Sequence, residues 1–399
     1  MNRKAFFILA FVMFLTMTGY GIVFPSLPYV AERLGLSAFE MGSLVTGWAV
    51  AQLIATPIWG RLIDRYGRKP ILFIGLFGFG IAFLAIIYVQ TYEQLLIARI
   101  IGAILSSGSV PAALTIVADS SKEKERGSYM AKMGAVNSLG FLCGPAIGGI
   151  FSPFGINAPF VVAGCLSLAT LPLVYAFIHE PSEQQTKEKN KPVSFLASLS
   201  LMTKAGYREL YILTLGKSLA ASSLFAILGY YMIEKFSSDP WQVSLSFSLF
   251  AGSSALVQFF LLNYFYQLKS EYWIINFGFL LCTLGYLCIA FSGNVSFVII
   301  GCICVGFGIA FVRPTIMLLL SKQDRMGRGI TMGLDQTMDS FGRVLGPLFG
   351  GFVFSVHMTF PFIGSALICI LMFAGIFISR RMTDENWSVS EKKKAYEEG

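Results

Sequence analysis

The stretch Gly140-Phe141-Leu142-Cys143-Gly144-Pro145-Ala146-Ile147-Gly148-Gly149 returns 202 residues later as Gly342-Arg343-Val344-Leu345-Gly346-Pro347-Leu348-Phe349-Gly350-Gly351, with five identical positions at one unvarying offset. Both copies lie in apolar runs. Glycines four apart let helix backbones approach closely, and a proline frees a backbone carbonyl and bends the helix. Packing alone would account for such residues, and so would a bend that serves function. Pro111 and Pro314 repeat nearby at an offset of 203. A duplicated pair of this kind predicts two similar halves.

The composition around these stretches excludes a soluble protein. Of 399 residues, 55% are hydrophobic against 13% charged, and the mean hydropathy is +0.68. Ordinary globular chains are about a quarter charged. Twelve apolar runs fall near 5–27, 41–60, 71–90, 93–117, 128–152, 158–178, 207–233, 241–263, 272–292, 295–320, 328–354 and 358–379. About twenty residues of helix cross a bilayer core. The expected fold is therefore all-α and polytopic, with twelve transmembrane helices. Arg3 and Lys4 before an apolar stretch imitate a signal peptide, but the stretch runs on through Pro25 and Pro28, as an uncleaved first span would.

A net charge of +8 invites a nucleic-acid partner, but the charges cluster between the runs. Of 30 Lys and Arg, 23 fall on the side of the two chain ends and only Arg33 and Lys235 in the opposite loops. By the positive-inside rule both termini are expected in the cytoplasm. The polar segment 179–206 divides the spans six and six. The expected organisation is a bundle over 1–178, a cytoplasmic linker over 179–206, a second bundle over 207–380 and a cytoplasmic tail over 381–399. The seven cysteines all lie within the runs and read as small apolar residues.

The loop after the second run is Gly60-Arg61-Leu62-Ile63-Asp64-Arg65-Tyr66-Gly67-Arg68-Lys69-Pro70. It resembles the GxLaDrxGrkxl signature of the major facilitator superfamily. Ala98-Arg99-Ile100-Ile101-Gly102 resembles that family's arginine motif, and the glycine-proline run of span five resembles its antiporter signature. With Tyr20 to Pro28, the pattern is similar to twelve-span drug:proton antiporters, including the quinolone-efflux pumps of Gram-positive bacteria. The resemblance implies two pseudo-symmetric six-helix bundles rocking about a central cavity. It implies Gln52, Asn137, Phe141 and Arg313 as cavity-wall residues, and a proton-coupling role for Arg99. Gly60, Asp64, Arg65, Gly67, Arg68 and Arg126 form the implied cytoplasmic gate, with Asp64 approaching Arg126 and the start of span eleven near Arg328 in the outward-facing state. The same basic loop also serves topology alone.

The chain departs from that pattern. Ala131 replaces the first glycine of the antiporter signature in span five, whereas span eleven has the full set of Gly333, Gly342, Gly346, Pro347, Gly350 and Gly351. The acidic residues that the Gram-positive pumps keep in spans seven and ten align with Phe225 and Ala310.

Charge inside a span costs on the order of 2.5–3.5 kcal/mol and demands a reason. Asp335, Asp339 and Arg343 stand at i, i+4 and i+8, on one face of span eleven. Asp339 is the first expected proton carrier and Asp335 the second, with Lys217 and Arg343 as cations that switch occupancy. The competing reading is a permanently neutralised cluster in which either acid pairs with Arg343 or Lys217. Five basic residues against two acidic ones in the spans favour neutral, zwitterionic or anionic substrates.

Gly216-Lys217-Ser218 echoes a phosphate loop without its first glycine, and His179 and His357 are isolated. No metal, cofactor or catalytic group is expected; the energy source is a proton gradient. The expected function is proton-coupled efflux of small amphiphilic drugs by alternating access, in a bacterial plasma membrane. The expected partners are a small molecule, protons and the lipid bilayer, with no nucleic acid, and the chain is expected to be a monomeric non-enzyme. A metabolite or sugar uniporter or symporter, and a lipid flippase of the same fold, are the alternatives.

Overall fold

The computed structural model describes residues 3–121, 123–178, 180, 207–322 and 328–376. Six helices precede the linker: α1 (Arg3–Arg33), α2 (Ala38–Tyr66), α3 (Arg68–Tyr88), α4 (Tyr92–Asp119), α5 (Glu123–Phe151) and α6 (Ala158–Phe177). Six follow it: α7 (Tyr207–Phe236), α8 (Pro240–Leu268), α9 (Glu271–Ala290), α10 (Val295–Lys322), α11 (Arg328–Val356) and α12 (Phe360–Ile376). Ten of these, α1 through α10, are long and apolar enough to cross a membrane. The other two are α11, 29 residues long with its charges inside, and the shorter α12. No strand occurs among the described residues.

The helices run past the apolar stretches at both ends, because polar turns cap them beyond the hydrocarbon. Ser37 and Glu40 form a capping box at the start of α2, and Asp239 with Gln242 does the same for α8. Two helices are irregular inside. The α4 ladder breaks at Ser107 and Gly108, just before Pro111, whose ring crowds the carbonyl four residues back. A π turn at Val257–Leu261 widens α8. The expected boundaries at 179–206 and 381–399 lie outside the described residues apart from Glu180.

The sequence repeat becomes a packing repeat. α5 lies against α1 and α11 against α7, with corresponding glycines at both contacts. A Cβ on Gly144 would strike Gly21 and the Thr18 carbonyl, and one on Gly346 would strike Ser222 and the Leu219 carbonyl. The last glycine of each run faces the other half. A Cβ on Gly149 would meet Ser244 and Trp241 of α8, and one on Gly351 would meet backbone of Ala38 and Phe39 of α2. Gly333, grouped with these residues in the sequence, faces open space and so mediates no close approach.

The halves touch at the end opposite the basic loops. There Tyr29 donates to the Ser238 carbonyl at 2.8 Å, Tyr230 to the Leu36 carbonyl at 2.9 Å and Thr46 to the Val344 carbonyl at 2.9 Å. Toward the basic end, Asp64 and Arg65 are exposed, and Gly60, Gly127, Gly134 and Gly333 have no close neighbours. Among the described residues, the halves are held together at one end and have exposed residues toward the other.

Candidate functional site

Close packing of α11 on α7 sets one face of each helix together. Thr214, Lys217 and Ser218 occupy adjacent turns of α7 and meet the acidic face of α11. Lys217 Nζ lies 2.8 Å from Asp339 Oδ1, and Ser218 Oγ donates to that same oxygen. Arg343 Nε approaches the other oxygen, Oδ2, at 3.5 Å. Asp339 is thus buried with a cation at each carboxylate oxygen. Asp335, one turn away and half-buried, accepts from Thr214 Oγ1 at 2.6 Å. Both acids line a small cavity with Arg313 and Gln336, whose space of about 20 Å³ admits a single water. The exposed Arg313 has no ion-pair partner among the described residues.

Among the described residues, α1 and α5 of the first half hold no such cluster. One buried cation of that half is Arg99, only 5% exposed, with Cζ 4.3 Å above the Trp48 ring. Nε of Arg99 has no hydrogen-bond partner, and no carboxylate pairs with it among the described residues. Tyr20 stands edge-on to Trp48 at 5.6 Å, its hydroxyl 3.2 Å from Ser106 Oγ.

Between the halves sits an aromatic cluster. Phe24 lies 5.8 Å from Phe141 and 4.9 Å from Phe225, and Phe225 stacks on Phe247 at 5.8 Å. Of the implied wall residues, Phe141 is here, while Gln52 and Asn137 are half-buried on α2 and α5. Arg313 lines the charged cavity of the second half. Ala310, the other position without an acid, is buried in an apolar cluster with Phe311 and Ile274.

The implied gate residues separate into two groups. Asp64 has no ion pair among the described residues, and Arg126 Nε donates to the Ala118 carbonyl at 3.0 Å, so the two are not joined. The side chain of Arg328 lies outside the described residues. Arg68 does not face the gate at all. It is buried, 2.6 Å from Asp119 Oδ2, and turned into its own half. Its backbone N–H and that of Lys69 donate to the Glu180 carboxylate at 2.7 and 2.9 Å, just after Gly67 takes a φ of +95°. A side chain on Gly67 would collide with that carboxylate.

A model of the Major Facilitator Superfamily matches residues 9–327 and 210–397. The chain belongs to that superfamily. Members of the family are transporters, and this one is a multi-pass protein of the cell membrane. It is 28% identical to the quinolone resistance protein NorA of Staphylococcus aureus (strain MSSA476) over 364 residues, 90% of this chain and 92% of that one. It is 28% identical to multidrug resistance protein 1 of Bacillus subtilis (strain 168) over 353 residues, 88% and 90% of the two chains. In fold it is similar to an inward-facing, unoccupied bacterial homologue of the human lysosomal transporter Spinster, with a TM-score of 0.81 at 14% identity over 96% of this chain and 98% of that one. The nucleoside transporter NupG superposes with a TM-score of 0.77 at 15% identity, over 95% and 99%.

Several residues of these sites escaped the reading of the sequence. Thr214 and Ser218 were accessible to it: once Lys217 is set against Asp339, helical spacing places both on the same face. Tyr20 and Phe24 lay in the span-one stretch that carries the resemblance, but nothing there marked them as site residues, and Phe225 and Phe247 were lost among 37 phenylalanines that fill core and lipid-facing positions alike.

Proposed function

We propose that this transporter exports small amphiphilic compounds in exchange for protons, working as a monomer without chemical catalysis. The basic loops and both termini lie in the cytoplasm in this reading, so the structure is the inward-open state. The names of the relatives from S. aureus and B. subtilis support drugs as substrates. The aromatic cluster between the halves suits apolar rings, and the exposed Arg313 suits a negative or zwitterionic group.

The observation that carries the reading is the pairing of α7 with α11. It supports Asp335 ahead of Asp339 as the proton carrier. A proton reaching Asp339 must displace Lys217, Ser218 or Arg343, whereas the side-chain partner of Asp335 is a neutral hydroxyl beside a water-sized cavity. Asp339 then holds the site together while Asp335 loads and unloads. Rocking of the halves changes which end of the cavity meets water.

The test is substrate-driven proton movement in proteoliposomes across a panel of dyes and antibiotics. Asp335→Asn is expected to abolish proton movement with thermal stability within about 1 kcal/mol of wild type, the scale of one neutral hydrogen bond. Wild-type coupling in Asp335→Asn would end its role as carrier. A wild-type protein silent toward every compound would end the drug-antiport reading.

A further inference from the structure

At the end where the halves touch, the first half has a groove of about 640 Å³ that transport by rocking does not use. Its floor and walls come from span ends: Arg33 closes α1, Phe151 closes α5, and Ala158 opens α6. The groove therefore lies at the level where lipid phosphates meet the hydrocarbon. Its walls are mainly apolar and include Phe154, 78% exposed, with Val161 and Val162. One cation sits among them. Arg33 Nη1 donates to Asn157 Oδ1 at 3.2 Å and Nη2 to the Val89 carbonyl at 3.5 Å, and these contacts orient the guanidinium. No carboxylate pairs with Arg33 among the described residues.

The scarcity of positive charge at this end makes Arg33 conspicuous. The other basic residue of these loops, Lys235, is engaged by the Tyr231 hydroxyl at 2.7 Å and the Ser292 carbonyl at 2.9 Å. Arg33 keeps donors for an outside acceptor. A guanidinium matches a phosphate with two parallel hydrogen bonds, and the match strengthens away from bulk water. A free phosphate would leave the apolar walls unused, whereas a lipid satisfies both parts of the groove at once.

We propose that this groove binds an anionic phospholipid, its phosphate on Arg33 and one acyl chain along Phe154, Val161 and Val162. The lipid would tie the end of α1 to the α3–α4 and α5–α6 turns without crossing to the other half. By the orientation proposed above it belongs to the outer leaflet, although the binding itself does not depend on transport or its direction.

Native mass spectrometry of the full-length protein tests this, using phosphatidylglycerol, phosphatidylcholine and inorganic phosphate as probes. Wild type is expected to retain phosphatidylglycerol over phosphatidylcholine. Arg33→Gln is expected to lower that retention about tenfold, as loss of a charge-assisted bidentate contact would. Arg33→Lys is expected to restore part of it, which shows that the folded protein tolerates substitution there. Val162→Trp fills the apolar wall with Arg33 intact and is expected to lower retention as well. Equal retention by wild type and Arg33→Gln would overturn the proposal, as would displacement of the lipid by an equal concentration of inorganic phosphate.

Discussion

Helices α5 and α11 occupy equivalent places in the two halves and share a glycine-proline framework, yet they differ in what they put into the interior. Each lays one glycine-rich face on the first helix of its own half and ends with a glycine against the other half. On α11 the residues between carry Asp335, Asp339 and Arg343; on α5 the corresponding positions are Met133, Asn137 and Phe141. On α7 the partner is Lys217, whereas α1 offers Thr16, whose hydroxyl is bonded to its own Val12 carbonyl. The framework thus fixes how closely backbones approach in both copies, while the buried carboxylate with its cations stands on one of them only.

That contrast is open to attack. The largest effect is expected from Lys217→Met, which leaves Asp339 buried against a hydroxyl and a half-exposed arginine. Breaking a buried pair from one side costs about 3–5 kcal/mol. Thermal unfolding in detergent should show the loss, and the double variant Lys217→Met/Asp339→Asn should recover much of it. If the single variant unfolds like wild type, the pair is not what holds α7 to α11.

A smaller effect separates the terminal glycines of the two runs. The neighbours of Gly351 are backbone atoms of Ala38 and Phe39, which cannot rotate away, while those of Gly149 are side chains of Ser244 and Trp241. Gly351→Ala is expected to cost about 1–3 kcal/mol in the state where the halves touch, as overpacking does. Gly149→Ala should cost less. Cysteine accessibility at the far end, read beside transport, would show the halves parting in the first variant. Equal behaviour of both would mean that the two cross-contacts are interchangeable. The smallest effect is expected at Gly333, which faces open space within a helix: Gly333→Ala should stabilise by about 0.5–1 kcal/mol in thermal unfolding, the helix-interior difference between the two residues.

The architecture was legible because a bilayer forces a simple code. Apolar runs of spanning length set the helix count, and the 202-residue offset set the pairing of halves. The acidic face of α11 was legible too, since charge in a span stands out. What stayed hidden was how its two acids are partnered, which depends on Thr214, Lys217 and Ser218 of α7 at the distance of one hydrogen bond. Hidden for a different reason was the turn of Arg68 into its own half. Asp119 lies 51 positions from it and Glu180 lies 112, and nothing local to the loop announces either. The aromatic bridge was invisible because phenylalanine is commonplace in a membrane.

The Glu180 contact has a mechanical corollary. Because that carboxylate grips the start of α3, the chain leaving α6 is fastened to the rim of its own half. Any movement of one half against the other would therefore have to bend or break the contacts by which Tyr29, Tyr230 and Thr46 reach backbone carbonyls across the divide.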